Sequence, residues 1–359
     1  MFTPLNTDRL PFRFVESNGK TYLWFSGTDY LGMAFHPRLV QLLSENLNSL
    51  GSHFGSSRNN SLRISVYEEA EKELAKFTGA DDALLVSSGM LAGFIVRSTL
   101  PTILAELHPQ HQIREYEAPM LHPALRRLGS KNPTWLNWAA SLADQIRGES
   151  QGIYHVLYSD SIGTPLTSGY DFKLLSQLPD TLLVVDDAHG LGVLGENGEG
   201  SYPLIRSNTQ QELLLIASLN KAMGVPGGVI LGSRKILHKI RNSAFFGGSS
   251  PIPPIYAYAL TQLIREGIYR QSHQQLKELN TYFLNQLTSP SAFHYVENYP
   301  VYVSSDAGLF HHLLSQNILV SCFPYPTQQD PVLTRIVITA AHQPNDLDWL
   351  AECCNSYFA

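Results

Sequence analysis

Five short apolar runs constrain the fold of this chain more than any other feature. They are "DALLVSS" (82–88), "GIYHVLYSD" (152–160), "TLLVVDD" (181–187), "LLLIAS" (213–218) and "GGVILGS" (227–233). Runs of this kind read as strands buried on both faces, as in a parallel sheet covered by helices. Apolar residues at helical spacing in 38–50 ("RLVQLLSENLNSL") and 67–77 ("YEEAEKELAKF") supply such cover. The predicted class is α/β, with a mostly parallel sheet in a large domain. A largely helical stretch from about 252 to 289 leads to strand-like "ILVSCF" and "RIVITA", then to helical "NDLDWLAECC" with an aspartate or asparagine cap. That end reads as a small α+β domain. The expected divisions are an N-terminal segment at 1–40, a large domain at 41–255 and a small C-terminal domain at 256–359.

A chain of 359 residues with 43% hydrophobic and 16% charged composition can build more than one core. Net charge is −6 with no lysine/arginine block, so nucleic acid and acidic membrane surfaces are poor partners. Three cysteines, Cys322, Cys353 and Cys354, give neither a disulfide framework nor metal-ligand spacing. The start "MFTPLNTDRLPFRF" lacks the basic and apolar regions of a signal peptide, and no apolar run approaches the ~20 residues of a membrane span. The expectation is a soluble cytoplasmic protein. No internal repeat or low-complexity segment occurs.

In open α/β sheets the C-terminal ends of strands hold ligands, and three such ends here carry chemistry. "VVDDAHG" closes one strand with Asp186, Asp187 and His189; such a stretch also suits an Asx-capped turn. "SSGMLAGF" (87–94) turns from strand into helix through small residues, a junction that can cradle phosphate. "ASLNKAMG" places Ser218 and Lys221 after the run "ELLLIAS", where most lysines would be solvated loop residues. One ligand would use all three: an aromatic cation for the acid, a phosphate for the helix end, an aldehyde for the lysine. Pyridoxal 5'-phosphate has those parts. A P-loop and a dinucleotide-binding glycine pattern are both missing.

Several blocks resemble the α-oxoamine synthases, pyridoxal-phosphate enzymes of the class II aminotransferase-like group. These are "WFSGTDYLGMAFHP", "GSHFGSSRNNSLRISVYEEAEKELAKFTGADDALLVSSGMLAG", "VVDDAHGLGVLGENGEG", "SLNKAMGVPGG" and "RIVITAAHQPNDLD". The resemblance runs from about residue 22 to the end and implies fold type I, the aspartate-aminotransferase-like fold. It implies that Lys221 binds the cofactor's aldehyde, Asp186 pairs with its ring nitrogen and His189 hydrogen-bonds its phenolic oxygen. Ser218 with Ser88, Gly89 and Met90 would take the phosphate. A hydroxyl near the phenolic oxygen would come from Ser161 or Thr164, and His122 would stack on the ring. Arg335 would grip an amino-acid carboxylate, a bidentate task suited to guanidinium. Ser249 and Ser250 would reach the phosphate of a partner subunit in a homodimer with shared active sites.

The implied reaction joins an amino acid, with L-alanine expected, to an acyl-thioester carried on coenzyme A or a carrier protein, with loss of carbon dioxide. It is the chemistry of biotin synthesis. A glycine acyltransferase, an aminotransferase and a non-catalytic partner subunit are the alternatives. Aminotransferases of this fold carry tyrosine three residues past the aspartate, where His189 stands; a silent subunit would lose Lys221. Some positions depart from the family pattern. Met90 replaces an aromatic, Tyr67 a histidine and Pro324 an arginine, and Ser61–Leu62 stands where Ser-Gly usually follows Arg58. The departures fall mainly on parts that would handle the thioester.

Overall fold

The computed structural model describes residues 5–127, 134–149, 151–325 and 329–359. The chain forms two compact units: Pro37–Ile162 with Gly169–Ile268, and Met1–His36 with Gly163–Ser168 and Tyr269–Ala359. The larger division closes later than residue 255 because the helix Pro254–Arg265 packs against helices Pro37–Leu50 and Ser65–Thr78 of the same unit. Gly267, with φ 73°, turns the chain into the next helix, Ile268–Gln286. The smaller unit is built from both ends of the chain.

The larger unit holds a six-stranded sheet in the order Asp82–Val86, Gly228–Gly232, Glu212–Ser218, Thr181–Asp186, Ile153–Asp160, Gln112–Glu117. Five of these strands run in the same direction, and Gly228–Gly232 alone runs antiparallel, to both its neighbours. The five apolar runs are all strands, buried because helices cover the sheet. Gln112–Glu117 ("QIREYE") is the sixth. It lies at an edge and is only half-buried, so its sequence carries no apolar run.

The helix Gly89–Leu107 qualifies the expectation about membrane spans: its 19 residues are long and apolar enough to cross a bilayer. Half of it is buried against the sheet, and its Arg97 pairs with Glu117 inside the unit. It is the core helix of this unit, with Leu100, Ile103 and Leu104 packed on the sheet's Val156, Val184 and Leu214.

The smaller unit carries a five-stranded sheet in the order Phe14–Ser17, Lys20–Phe25, Ile318–Pro324, Val332–Val337, Val301–Ser304. Asn18 and Gly19, both at positive φ, close the first hairpin. The Lys20–Phe25 strand runs parallel to Ile318–Pro324 and so ties the two chain ends together. His342 strengthens that tie. Its ring stacks on Phe25 at 4.1 Å and donates from Nε2 to the Trp24 carbonyl at 2.9 Å, and burial holds its pKa down at about 4. The last helix, Pro344–Phe358, is capped by Gln343 rather than by an aspartate or asparagine. Asp346 completes that capping box and also takes both arms of Arg13, at 2.7 Å each.

Candidate active site

Strand register assembles the site in the larger unit. Asp160 and Asp186 end adjacent parallel strands as direct partners, so both carboxylates lie on one face of the sheet. Ile216 is the partner of Asp186 on the other side, and Ser218, two residues on, shares its face. Past Ser218 the chain makes a tight loop before the antiparallel strand Gly228–Gly232. Leu219 N–H bonds Gly227 at 2.9 Å, Val225 N–H bonds Leu219 at 2.9 Å, and Gly224 at φ 63° turns it. Lys221 stands in this loop, and its Nζ is 2.8 Å from His189 Nε2.

Asp186 is 7% exposed. Its Oδ1 accepts from Ala188 N–H at 2.9 Å, and its Oδ2 is 3.4 Å from His122 Nδ1. His122 is held by its backbone N–H, which lies 3.2 and 3.3 Å from the two Asp160 oxygens, and Nδ1 accepts from Ala124 N–H at 3.3 Å. Gly93 permits the approach of this segment, since a Cβ there would lie 2.5 Å from the Ala124 carbonyl oxygen. Lys221, His189, Asp186, His122 and Ser218 thus belong to one cluster of strand ends.

Asp187 points the other way, as alternation requires. It is 1% exposed, and its Oδ2 accepts from Ser201 N–H at 2.9 Å. A Cβ at Gly190 or Gly200 would lie 1.9 or 2.5 Å from its carboxylate, so those glycines make room for it. Burial raises the Asp187 carboxyl to about 6, against the opposing pull of the Ser161 hydroxyl and of Ser201. Ser161 follows Asp160 and by alternation lies on the Asp187 side of the sheet, its buried Oγ without a hydrogen-bond partner among the described residues. Thr164, the other hydroxyl expected near the phenolic oxygen, falls within the smaller unit.

Ser88 caps the helix Gly89–Leu107, its Oγ accepting from Leu91 N–H at 3.1 Å. A Cβ on Gly89 would lie 2.9 Å from Ser218 Cβ, and one on Gly228 would lie 2.3 Å from the Ser88 carbonyl oxygen. Bare backbone is what lets the helix start seat beside Ser218, and its N–H groups with that hydroxyl fit a phosphate. Met90 is 53% exposed on the outer side. Ser249 donates to the Phe246 carbonyl at 2.8 Å, and Ser250 is exposed.

In the smaller unit, half-buried Arg335 donates through Nη2 to Tyr30 Oη at 3.1 Å, while its buried Nε has no hydrogen-bond partner among the described residues. Tyr30 belongs to the "TDYLG" block, where a Cβ on Gly32 (φ 66°) would lie 3.2 Å from Ala341 Cβ.

One departure from the family pattern, Tyr67, is built into the core. Tyr67 donates to the Ile252 carbonyl at 2.8 Å and lies under the Arg58 guanidinium, 4.7 Å from its ring centre. Arg58 also pairs with buried Glu71, which accepts from Leu85 N–H at 2.8 Å and from Arg241 at 2.9 Å. Sequence reasoning missed Asp160. The signal was there: "LYSD" ends its run with an acid, as "VVDD" does.

An acid, a lysine with a histidine at its amine, and a glycine-lined helix start at neighbouring strand ends define a fold type I pyridoxal-phosphate enzyme. The profile described as "Aminotransferase class I and II" matches residues 130–353. The 8-amino-7-oxononanoate synthase of Hahella chejuensis (strain KCTC 2396) is 30% identical over 360 residues, spanning 96% of this chain and 89% of that protein. That of Halorhodospira halophila (strain DSM 244 / SL1) is 32% identical over 271 residues, 73% of this chain and 65% of that protein's length.

Among solved structures, the serine palmitoyltransferase of Sphingomonas wittichii superposes with a TM-score of 0.81 at 16% identity, over 98% of this chain and 91% of the other. The 8-amino-7-oxononanoate synthase of Francisella tularensis gives 0.70 at 21% identity, over 94% and 98%. The chain belongs to the class I and II aminotransferase family and, within it, to the pyridoxal-phosphate-dependent α-oxoamine synthases.

Proposed function

We propose that this chain is a pyridoxal-phosphate-dependent acyltransferase of the 8-amino-7-oxononanoate synthase type, joining L-alanine to an acyl-thioester with loss of carbon dioxide. The observation that carries the reading is the 2.8 Å Lys221–His189 contact, with Lys221 three residues past Ser218, which shares the face of Asp186. Pyridoxal phosphate, when bound, supplies an aldehyde that condenses with amines and a ring that withdraws electrons.

Lys221 would hold that aldehyde, and its amine would take the α-proton of the amino acid. His189 keeps the amine oriented through the Nε2–Nζ contact. Asp186 would hold the ring nitrogen's proton with its carboxylate, whose Oδ1 also accepts from Ala188 N–H. His122, with one face fixed by Asp160 and Ala124, covers the ring, and Ser88, Gly89 and Ser218 receive the phosphate. Arg335 takes the amino-acid carboxylate through its unsatisfied Nε. Ser249 and Ser250 serve the partner's site in a homodimer, and the cytoplasm is the proposed location.

The first test is covalent. Borohydride added to the yellow protein should fix the cofactor onto Lys221, identified by peptide mass, and Lys221→Ala should abolish that adduct. An adduct retained in Lys221→Ala would remove the assignment.

The second test supplies alanine, glycine or serine with pimeloyl groups on coenzyme A or on a carrier protein, and follows thiol release. Release with alanine supports the proposal, and the better carrier identifies the donor. Release only with glycine or serine moves the chain to another α-oxoamine synthase. Amino transfer to a keto acid without thiol release makes it an aminotransferase, and neither activity makes it a silent subunit.

A further inference from the structure

His122 reaches Asp186 from a segment outside any helix or strand, and something has to hold that segment still. The edge strand Gln112–Glu117 ends at Glu117, the register partner of Tyr158. From there residues 118–127 cross the end of the neighbouring strand. Ala118 N–H bonds the Tyr158 carbonyl at 2.8 Å, and His122 N–H lies against the Asp160 oxygens. Met120 takes φ 58° on the way, a conformation that a non-glycine residue keeps only where its surroundings enforce it.

One buried ion pair grips both ends of the segment. Arg97, on the helix Gly89–Leu107, and Glu117 are 2% and 4% exposed. Arg97 Nη2 donates to Glu117 Oε1, Nη1 lies 3.4 Å from Glu115 Oε2, and the guanidinium lies 3.8 Å from the centre of the Tyr158 ring. The same Glu117 Oε1 accepts at 2.9 Å from the N–H of Arg127, at the far end of the segment. Arg127 in turn donates through Nη2 to the Arg97 carbonyl at 2.9 Å. Gly93, one turn before Arg97 on the same helix face, admits the Ala124 carbonyl.

Stability alone does not require such a pair. The attraction of two buried charges offsets their desolvation only in part, and apolar side chains of similar volume often serve a fold as well or better. Apolar side chains could not, however, accept from a backbone N–H. We propose that Arg97 and Glu117 are positioning residues for the reaction: the pair holds Glu117 Oε1 at the Arg127 N–H, fixes the 118–127 segment and so sets His122 against the cofactor ring, a role that rests on the cofactor reading given above.

The experiment compares wild-type holoenzyme with two double variants. Arg97→Met/Glu117→Leu replaces the pair by apolar side chains and removes the acceptor, whereas Arg97→Met/Glu117→Gln keeps an acceptor for the Arg127 N–H. Each is also combined with His122→Ala, and His122→Ala alone completes the cycle. The readouts are thermal melts, pyridoxal-phosphate affinity by fluorescence titration, kcat, and visible circular dichroism of the bound cofactor, which reports how its ring is held. The Leu variant should melt near wild type. It should nonetheless lose the wild-type dichroism and on the order of 10-fold to 10²-fold in kcat, the scale of a small misplacement. The Gln variant should recover most of both. With His122→Ala present the Leu change should add nothing, because residues that act as a unit are not additive.

Losses that multiply in the His122→Ala background would show Glu117 acting independently of His122 and would overturn this inference alone. Equal losses in the Leu and Gln variants would do the same, since the acceptor would then be irrelevant. A Leu variant that melts lower but keeps wild-type dichroism and kcat makes the pair structural only, again overturning it. If the Leu variant does not fold, Glu117→Gln enters the same cycle, with a smaller loss that must also vanish beside His122→Ala. Wild type that takes up no pyridoxal phosphate overturns this inference and the proposed function together.

Discussion

Asp186 and Asp187 are chain neighbours in opposite surroundings, and they should respond differently to the same change. Asp186→Asn removes the anion that would keep the ring nitrogen protonated. Losing a preorganised electrostatic partner costs on the order of 10²-fold or more in kcat, readable in steady-state turnover at saturating substrate. Asp187→Asn should leave kcat within a few-fold and change stability instead. The Asp187 carboxyl is raised from 3.8 to about 6, so the folded state binds a proton more tightly than the unfolded chain. Its contribution is present in full below the unfolded value and is lost as pH rises through about 6. The full loss is about 3 kcal/mol. Wild type should therefore lose stability relative to Asp187→Asn between about pH 4 and pH 6, in thermal melts of both proteins across that range. A constant difference across the window would remove the assignment, and equal damage to kcat would mean that the wrong aspartate faces the ring. At this scale the sequence was legible wherever a polar residue ended an apolar run, since little but chemistry or capping keeps it there. It was not legible for Ser161, whose facing depends on which strand-end residue first leaves the ladder.

The helix start Gly89–Leu107 and the hairpin at Asn18–Gly19 each depend on a glycine, for opposite reasons. Gly89 needs space: a Cβ would lie 2.9 Å from Ser218 Cβ and 3.1 Å from its Cα, and the Ser218 backbone is held in a sheet. Gly89→Ala should push the helix start away from Ser218 at an overpacking cost of about 1–3 kcal/mol. Pyridoxal-phosphate affinity should fall by roughly tenfold. Gly19 has open space around its Cβ position and needs only its φ of 73°. Gly19→Ala should cost about 1 kcal/mol in a melt and leave cofactor affinity unchanged. A Gly89→Ala protein with wild-type affinity would remove the helix start from the phosphate site.

Elements were readable where burial imposed a pattern. The central strands and the long helices announce themselves by apolar content. "QIREYE" did not, because an edge strand with half-buried side chains needs no apolar face. The Asn18–Gly19 turn is a strong hairpin signal that lies outside the apolar runs. Nor does a run such as "GGVILGS" state its direction; the nine-residue loop 219–227, too short for a helical crossover, is what makes Gly228–Gly232 antiparallel.

The chain divides its chemistry between its two units. The residues proposed for the cofactor, Lys221, His189, Asp186, His122, Ser88, Gly89 and Ser218, all belong to the larger one, and Arg335 with Tyr30 to the smaller. The smaller unit is discontinuous in sequence, which apolar periodicity cannot reveal because the Lys20–Phe25 and Ile318–Pro324 strands meet only in the fold. This division allows cofactor binding and substrate binding to be separated by mutation. Arg335 spends one donor on Tyr30 at 3.1 Å, and its buried Nε has no partner among the described residues, so the half-buried guanidinium keeps a desolvated donor with capacity for an anion. Arg335→Ala should therefore raise the KM for the amino acid steeply, because a buried carboxylate deprived of its guanidinium costs roughly 2–5 kcal/mol, or ~30-fold and upward. Arg335→Lys should recover only part of that loss, since an ammonium cannot present a fork. Cofactor content and the borohydride adduct at Lys221 should match wild type in both variants, and the KM for the acyl donor should stay within a few-fold. A change in donor KM with the amino acid's KM unmoved would transfer Arg335 to thioester binding. It would also fill, from within this chain, the cationic role left vacant by Pro324.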